Sequence, residues 1–411
     1  MAVFNPFRPA YTEDPYPILA RLRSQEPVHW SPDLGAWVVT SYAECQKALV
    51  DDEHFSSNPI HATNDLGRSV AQTRATAPVG AAPIMGNADP PEHTRLRAIV
   101  NRAFTPRAIA ETRPRIEQTV DELMEAWPDG RPIDIVPNLC EPVAITTVLA
   151  HMGIPPEGWA AFRNLSGAVM RGRVEGGAGP AVVRETLAAR DQMLDLVARI
   201  AEARETARGD DGPRDVLSAL VDASGEEEIG PDELAMMLVH VSLAGNGPTI
   251  MSFANVVAAL AGHPEQLERL LAEPDLVPSA VEECLRFDSP THYVNRFCVK
   301  DVELERRTVK AGQMVYAMVG AANRDPARFP DPDTLDIGRK DNRHLSFGMG
   351  IHFCLGAPLA RLELDVVLRK VLERFGHYRV VRAERGGTFQ VRGFSRLEIA
   401  AGGGAGGAPQ D

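Results

Sequence analysis

The stretch SFGMGIHFCLGAPLARLELDVVL, residues 346–368, joins a glycine-spaced loop to a helical pattern through a single cysteine. Apolar residues recur at helical spacing over 358–375, so Cys354 lies just before a predicted helix. At that position unpaired backbone N–H groups and the positive end of the helix dipole favour a thiolate over a thiol. Gly348 and Gly350 allow the backbone to approach a flat group without side-chain clash. A thiolate beside room for a planar group is what a haem iron needs from its protein ligand.

The composition around this stretch is that of an ordinary globular protein. The chain has 411 residues, of which 44% are hydrophobic, so one large or two modest domains are possible. The formal net charge is −13 and no basic stripe stands out, which argues against nucleic acid or an anionic membrane as partner. The first twenty residues lack the pattern of a signal peptide, and no run of about 18 apolar residues free of polar breaks occurs. We therefore expect a cytoplasmic protein without membrane association.

The five cysteines do not form a framework. They are odd in number, are scattered along the chain and include no CxxC pair, so disulfides or a zinc site are not expected. Taken alone, an isolated cysteine in an apolar setting is more often an inert core thiol. The glycine spacing and the following helix favour a working role for Cys354 alone.

Helical patterns dominate the rest of the sequence, and strand patterns are few and short. The predicted helices are 15–24, 41–50, 92–103, 114–126, 181–205, 232–262, 264–272, 277–286 and 358–375. The predicted strands are a hairpin within 29–41, then 312–318, 377–382 and 396–400. The fold class predicted is mainly α with small β-sheets, an α+β architecture without regular βαβ alternation.

Two segments without clear periodicity interrupt these patterns. Residues 56–90 form the longer one, and GRVEGGAGP at 172–180 places four glycines between two helices. Long loops in a compact domain are more often lids or binding loops, although a disordered insertion is the alternative.

The segment FGMGIHFCLG, 347–356, resembles the haem-binding loop of the cytochrome P-450 family, and the resemblance covers nearly the whole chain. It implies a soluble bacterial type of haem-thiolate monooxygenase and a triangular, helix-rich single domain over residues 1–400. The haem would lie between the long central helix and the helix after the cysteine, and residues 401–411 would form a flexible tail. The implied cofactor is haem b with Cys354 as iron ligand, and the implied haem-loop residues are Phe347, Gly348, Gly356 and Ala360.

Two further motifs match the same family. In EECLR, Glu283 and Arg286 lie one helical turn apart and match its Glu-x-x-Arg motif, which locks onto a later arginine; Arg328 is the candidate here. An isolated pair at this spacing is commonplace and weak. Four residues match the positions that hold the haem propionates, since buried carboxylates need cationic or strong donor partners. They are His93, Arg97, Arg296 and His352.

The central helix departs from the family pattern at LAGNGPTIM, residues 243–251. The family has Ala-Gly-x-(Glu or Asp)-Thr there, with the acid relaying protons and the alcohol steadying iron-bound oxygen. Aligning Ala244 places Gly247 at the acid position and Pro248 at the alcohol position. The proline ring crowds the carbonyl of Ala244 and leaves it without its helical donor. The remaining candidates to handle protons are that carbonyl, the Asn246 amide, the Thr249 hydroxyl and ordered water. The alternative is that Pro248 only kinks the helix and turns Thr249 away.

Three function classes remain open from the sequence. The first is a monooxygenase acting on a small organic substrate, in which the substrate or bound water completes the relay. The second is an oxidation needing little relay, such as oxidative coupling, ring closure or use of hydrogen peroxide. The third is a haem-based sensor or carrier. Aromatic and apolar residues at family pocket positions weakly suggest an aromatic or natural-product ligand; they are Val241, Gly245, His292, Val294, Phe389 and Phe394.

No flavin or iron–sulfur motif occurs in the chain, so electrons must come from other proteins. The resemblance implies a ferredoxin and its reductase, serving a monomeric enzyme. Basic residues around the haem loop would form a docking face for an acidic ferredoxin, with ordinary solvated charge as the alternative. They are Arg339, Lys340, Arg343, His344, Arg361, Arg369 and Lys370.

Overall fold

A computed structural model describes residues 4–63, 82–128, 130–175, 180–205, 215–225 and 228–402. Helices account for most of these residues, and short 3₁₀ turns connect several of them. The α-helices, numbered along the chain, are α1 Pro9–Glu13, α2 Tyr16–Gln25, α3 Tyr42–Val50, α4 Glu92–Asn101, α5 Pro106–Ala110, α6 Arg113–Glu125, α7 Glu141–His151, α8 Trp159–Glu175, α9 Pro180–Glu205, α10 Val216–Gly225, α11 Pro231–Ala261, α12 Pro264–Ala272, α13 Val277–Phe287, α14 Val319–Ala322 and α15 Ala357–Phe375. A π-helical turn, Val136–Cys140, leads into α7.

The strands form three small sheets. They are β1 Val28–Ser31, β2 Ala36–Val39, β3 Phe55–Ser56, β4 Ile133–Asp134, β5 Val294–Cys298, β6 Val302–Leu304, β7 Arg307–Val309, β8 Met314–Ala317, β9 Tyr378–Gly387 and β10 Arg392–Ala401. The five-stranded sheet has the order β1-β2-β8-β5-β3, and only β2 and β8 pair in parallel. The second sheet is β4-β10-β9 and the third is the pair β6-β7.

The long helix α11 runs through the centre of the molecule. It begins after Gly230, whose N–H is 3.2 Å from a carboxylate oxygen of Glu233, and Asp232 adds a second acidic residue in the first turn. Carboxylates there offset the positive end of the helix dipole. Within the described part of the chain, this 31-residue helix is the one that is long and apolar enough to cross a membrane. Sixteen of its residues are buried against neighbouring elements, so burial in a protein core accounts for its hydropathy.

The helix after the cysteine, α15, packs into the same apolar core as α11. That core also includes α6, α13 and strand β10, with members such as Phe253, Leu285 and Val367 at or below 2% exposure. A second core joins α4, α7 and the first half of α11. The cysteine loop therefore enters a helix that is held rigidly on the central helix.

The strongly periodic helices lie where the sequence predicts them, within two residues at each end. The hairpin and the later strands are also present, although β9 and β10 are longer than predicted. Helices α1, α5, α7, α8, α10 and α14 and strands β3 to β7 were not predicted. Residues 172–175, predicted as loop, are the last turn of α8, while 176–179 lie outside the described residues. Of the predicted tail, Ala401 ends β10 and Gly402 N donates to His377 O at 2.7 Å; residues 403–411 lie outside the described part.

Candidate active site

The cysteine loop is folded back on itself by backbone hydrogen bonds. Cys354 N donates to Phe347 O at 2.8 Å, and Gly348 N donates to Leu345 O at the same distance. Gly348 has φ +70° and Gly350 has φ +73°, which side chains rarely adopt. These two glycines close the loop tightly enough to hold the cysteine at the start of α15.

The thiol of Cys354 lies in a recess rather than in the core. Among the described cysteines it alone is exposed, while Cys45, Cys140, Cys284 and Cys298 are buried. Protein atoms around the recess raise the pKa of the Cys354 thiol by desolvation. Hydrogen bonds from the backbone N–H groups of Gly356 and Ala357, and the charge of Arg97, act in the opposite direction. The sulfur therefore has the N–H donors that stabilise a thiolate once a metal binds it.

Phe347 and Arg97 support the loop from two sides. The guanidinium of Arg361 lies 4.5 Å from the centre of the Phe347 ring, in cation–π contact. Arg97, on α4, donates to Ile351 O at 2.9 Å and to Phe353 O at 2.8 Å. Gly356 is the residue before α15, and Ala360 N bonds to its carbonyl at 2.9 Å.

Four basic groups predicted to hold carboxylates come together beside this loop. The rings of His93 and His352 lie 4.3 Å apart, and the charges of Arg97 and Arg296 act on both histidines. Burial and these charges lower the pKa of His352 to about 3 and lower that of His93. Burial also lowers the pKa of Arg296 to about 10, although Asp89 opposes the shift. The burial of four neighbouring basic groups indicates a site built for an anion.

The residues present fit a haem. The buried Nε2 of His93 has no hydrogen-bond partner among the described residues, so it can serve an additional acceptor. Two propionates would supply negative charge to balance the four basic groups. In the described part of the chain no three His, Cys, Asp or Glu side chains cluster as a metal site. An iron carried by its own porphyrin needs only the one protein ligand that Cys354 offers.

The central helix is continuous through the residues that depart from the family pattern. Pro248 lies inside α11, so Ala244 O has no N–H donor four residues later. The Ala244 residue is exposed, and Thr249 is 7% exposed. The Oδ1 of Asn246 is buried and has no partner among the described residues.

The two glycines of this region have different surroundings. A Cβ added at Gly245 would meet Val148 Cγ2, on α7, at 2.6 Å, whereas one at Gly247 would meet nothing within 4 Å. Gly245 is therefore needed for helix packing, and Gly247 leaves open space where an acid side chain would extend. No feature of the sequence signalled the contact with Val148.

The predicted substrate-pocket residues pack in different apolar clusters of the described chain. Val241 is 7% exposed and packs in the core with α4 and α7, and Val294, the first residue of β5, packs against the apolar cluster between the five-stranded sheet and α3. His292 is fully buried, 6.3 Å from the Tyr11 ring. The Phe389 ring lies within 6.3 Å of an aromatic cluster from three segments, and Phe394 is 4% exposed with the Arg385 guanidinium 4.1 Å from its ring centre. The rings around Phe389 are those of Phe4, Phe7, Tyr11, Tyr293 and Tyr316.

The Glu-x-x-Arg pair is the most deeply buried ion pair among the described residues. Arg286 Nε lies 2.8 Å from Glu283 Oε2, and both side chains are fully buried. The predicted third member, Arg328, is wrong, because it pairs with Asp341 instead, at 2.7 Å. Arg339 takes the third place, with its Nε 3.1 Å from Glu283 Oε2. Both arginines lie in the same irregular segment after α14, so the sequence could not rank them.

The comparisons with known proteins agree with this geometry. The family model Cytochrome P450 matches residues 181–380. The chain is 38% identical to cytochrome P450 monooxygenase PikC of Streptomyces venezuelae over 89% of this chain and 84% of that protein. It is similar to the structure of the bacillaene polyketide synthase cytochrome P450 PksS of Bacillus subtilis 168, with TM-score 0.83, 29% identity and coverage of 97% of this chain and 100% of that one. It is also similar to the structure of CxnD, a cytochrome P450 enzyme for C–S bond formation in chuangxinmycin biosynthesis, with TM-score 0.80, 30% identity and coverage of 95% and 94%.

These likenesses confirm the predicted fold class and its small sheets, and the names of the relatives confirm an oxidoreductase of the monooxygenase type. The family binds haem through a cysteine thiolate. The chain therefore belongs to the cytochrome P450 family.

Proposed function

We propose that the protein is a haem-b monooxygenase that oxidises a small, natural-product-like organic substrate with electrons from separate proteins. The observation that carries the proposal is the meeting of the Cys354 loop with the basic cluster of His93, Arg97, Arg296 and His352. The names of PikC and PksS, one a monooxygenase and the other of a polyketide synthase, support the reaction and the substrate class.

The roles of the residues follow from this arrangement. Cys354 would ligate the iron, and the four basic groups would hold the propionates. When bound, the haem supplies activation of dioxygen by two electrons, and the chain must provide two protons at the distal side. The Ala244 carbonyl accepts a hydrogen bond, and the Asn246 amide and Thr249 hydroxyl both donate and accept. These groups orient water where the family places an acid and an alcohol.

A second candidate is an oxidation without oxygen insertion, such as oxidative coupling or ring closure. Two observations favour it: Gly247 and Pro248 carry neither acid nor hydroxyl, and CxnD is named for C–S bond formation. Such a reaction consumes the same electrons but places less demand on a positioned proton donor at the substrate.

The experiment has a spectroscopic and a kinetic part. Reduced protein with carbon monoxide should show the absorption band of a thiolate-ligated haem, and Cys354→Ser should abolish that band. Turnover under ¹⁸O₂ should then place one labelled oxygen in each product molecule. The amount of product formed should match the amount of NAD(P)H consumed. If the carbon monoxide band is present but the product contains no ¹⁸O, oxidative coupling or ring closure is favoured. Turnover with hydrogen peroxide alone would identify peroxide use. Absence of the band in wild type would overturn the haem-thiolate enzyme altogether.

Most residues of the predicted basic docking face are paired with acidic residues in the structure. Arg339 is engaged with Glu283, Arg361 is 2.7 Å from Glu282, and Arg369 and Lys370 pair with Asp365 and Asp121. His344 contacts Glu282, whereas Lys340 is exposed and Arg343 is exposed with its Nε 3.7 Å from Asp341. We place the ferredoxin contact at these two exposed cations. Arg343→Glu should lower ferredoxin-supported turnover and its salt dependence, whereas unchanged rates would exclude this contact.

A further inference from the structure

One carboxylate lies beside the four basic groups, and the sequence patterns did not single it out. Asp89 precedes α4, and His93 N donates to Asp89 O at 2.9 Å, so the two residues lie one helical turn apart. Burial lowers the pKa of both His93 and Arg296, and the charge of Asp89 acts in the opposite direction on both. In the described part of the chain it is the one carboxylate whose charge acts on these two groups.

The strand register places Asp89 between α4 and β5. Ser56, the last residue of β3, pairs with the residue that follows Arg296 on β5. The Ser56 hydroxyl donates to Asp89 Oδ2, and Ser57 N donates to Asp89 Oδ1 at 3.0 Å. The carboxylate is therefore joined to the strand next to Arg296, while its backbone begins the helix that carries His93.

The carboxylate has a fixed position. Each of its oxygens accepts one directed hydrogen bond, and the Ser56 hydroxyl is itself oriented by a bond from Asn58 N at 2.8 Å. The Nε2 of His61 lies 3.8 Å from Asp89 Oδ2, and the Asp89 side chain is 30% exposed. A partly buried charge held in this way is screened less than a free surface charge.

A helix cap does not account for the side chain of Asp89. An aspartate before a helix commonly accepts a hydrogen bond from the first turn. Here the residue before α4 is Pro91, and among the described residues the Asp89 side chain accepts from Ser56 and Ser57. Its negative charge is thus directed away from the helix end and lies beside the basic groups that would hold a haem.

The sign of the effect on a haem follows from Coulomb's law. Reduction of the iron adds one negative charge to the haem. The positive charges of Arg97 and Arg296 favour that addition, and a carboxylate at the same edge opposes it. A fixed Asp89 therefore offsets part of what the two arginines contribute.

We propose that Asp89 tunes the reduction of the haem: its anchored carboxylate offsets the positive charge of Arg97 and Arg296 at the haem edge and so lowers the reduction potential. The proposal rests on the proposed function, since it requires a haem beside the basic groups. Uptake of one electron from the donor protein is then less favourable. No covalent bond forms or breaks, and the same single electron converts ferric to ferrous haem in wild type and variants.

The test is a spectroelectrochemical titration of the holoenzyme. Asp89→Asn removes the charge and keeps the shape of the side chain. At a fixed applied potential it should show about threefold more ferrous relative to ferric haem than the wild type. Asp89→Glu keeps the charge, so its ratio should lie closer to that of the wild type.

Asp134→Asn is the matched control. The Asp134 carboxylate also accepts two backbone hydrogen bonds, from Val136 N and Leu397 N, and its side chain is 21% exposed. It has a basic neighbour at a similar distance, since Arg396 Nε lies 4.0 Å from its Oδ2. Its charge acts on none of the four basic groups, so this variant should titrate like the wild type.

Ser56→Ala keeps the test decisive if Asp89→Asn does not fold or retain its haem. It leaves the charge in place but removes one of the two hydrogen bonds that hold it. The ferrous-to-ferric ratio should rise as in Asp89→Asn, and by less, because the freed carboxylate turns toward water. A ratio equal to that of the wild type would then contradict the tuning role.

Two results would overturn the proposal alone. One is an equal ratio in Asp89→Asn and wild type, and the other is an equal shift in Asp89→Asn and Asp89→Glu, which would show a structural effect without a role for charge. In both cases a wild-type carbon monoxide band and labelled product would leave the proposed function in place. A wild type without that band would overturn the proposed function and the tuning role with it.

Discussion

At the scale of single residues, backbone conformation decides which glycines of the cysteine loop are replaceable. Gly350 combines φ +73° with a backbone neighbour, because an added Cβ would lie 2.7 Å from Leu49 O. Gly35 has a similar φ of +57° but nothing within 4 Å. The pair therefore separates conformational strain from collision.

We expect Gly350→Ala to lower the free energy of unfolding by about 3 kcal/mol and to weaken haem retention, since strain and overpacking add. Gly35→Ala should lose about 1 to 2 kcal/mol, from the left-handed conformation alone. Urea unfolding of both variants measures the difference. Equal losses would show that the Leu49 carbonyl moves aside without penalty.

At the scale of elements, α11 contains two glycines that look equivalent in the sequence but have different neighbours in the structure. Gly245 lies against Val148 of α7, and Gly247 faces open space. Gly247→Ala should raise stability by about 1 kcal/mol, because alanine is the better helix former. Gly245→Ala should lower it by about 1 to 3 kcal/mol through overpacking. Thermal unfolding of the two variants checks the opposite signs, and a shared sign would mean that α7 does not restrain this turn.

The buried contact between Glu283 of α13 and Arg339, in the segment after α14, leads to a second prediction at this scale. Arg339 is 11% exposed and faces the fully buried Glu283, whereas Arg328 pairs with Asp341, which is 66% exposed. Removing Arg339 would leave Glu283 with Arg286 as its cationic partner and would take away the hydrogen bond that Arg339 Nε donates to the buried carboxylate.

Arg339→Ala should therefore lower the free energy of unfolding by about 1.5 to 3 kcal/mol, the range for a lost hydrogen bond to a charged group. Arg328→Ala should lower it by about 1 kcal/mol or less, because water screens that pair. Chemical denaturation of both variants distinguishes them. Similar losses would return Arg328 to the role that the sequence predicted for it.

At the scale of the whole molecule, the sequence predicts the amphipathic elements well and the others poorly. Helices such as α13 and α15 have one apolar and one charged face, which periodicity detects. Helix α7, EPVAITTVLAH, is apolar on several sides and shows no such contrast. Strand β5 includes Asn295 and Arg296 and has no alternating pattern. The tertiary surroundings decide both cases.

The same limit applies to the site. The family resemblance grouped His93, Arg97, Arg296 and His352 as partners of one rigid group, and the structure brings these four together; the role of Cys354 as iron ligand stays a prediction. Arg339 and Val148 act through contacts between segments far apart in the chain, and spacing along a sequence contains no such information.

Glu363, on the buried side of α15, should make the stability of the whole protein vary with pH. Burial raises the pKa of its carboxyl from the ordinary value near 4.5 to about 8, although a hydrogen bond with Thr147 opposes the shift. Its Oε1 has no partner among the described residues. Between pH 4.5 and 8 the unfolded chain therefore loses this proton while the folded chain keeps it.

Because the unfolded state binds fewer protons in that range, stability should fall as the pH rises from about 5 to 8 and level off above. One pH unit is worth about 1.4 kcal/mol, so the loss due to Glu363 approaches roughly 4 kcal/mol, a large part of a typical stability. Glu363→Gln should remove this decline, whereas Glu111→Gln, at a side chain 63% exposed, should leave it in place. Unfolding free energies of the three proteins at several pH values measure the effect. Parallel curves for wild type and Glu363→Gln would mean that the folded protein ionises Glu363 near its ordinary pKa, with water or a rearranged partner reaching Oε1.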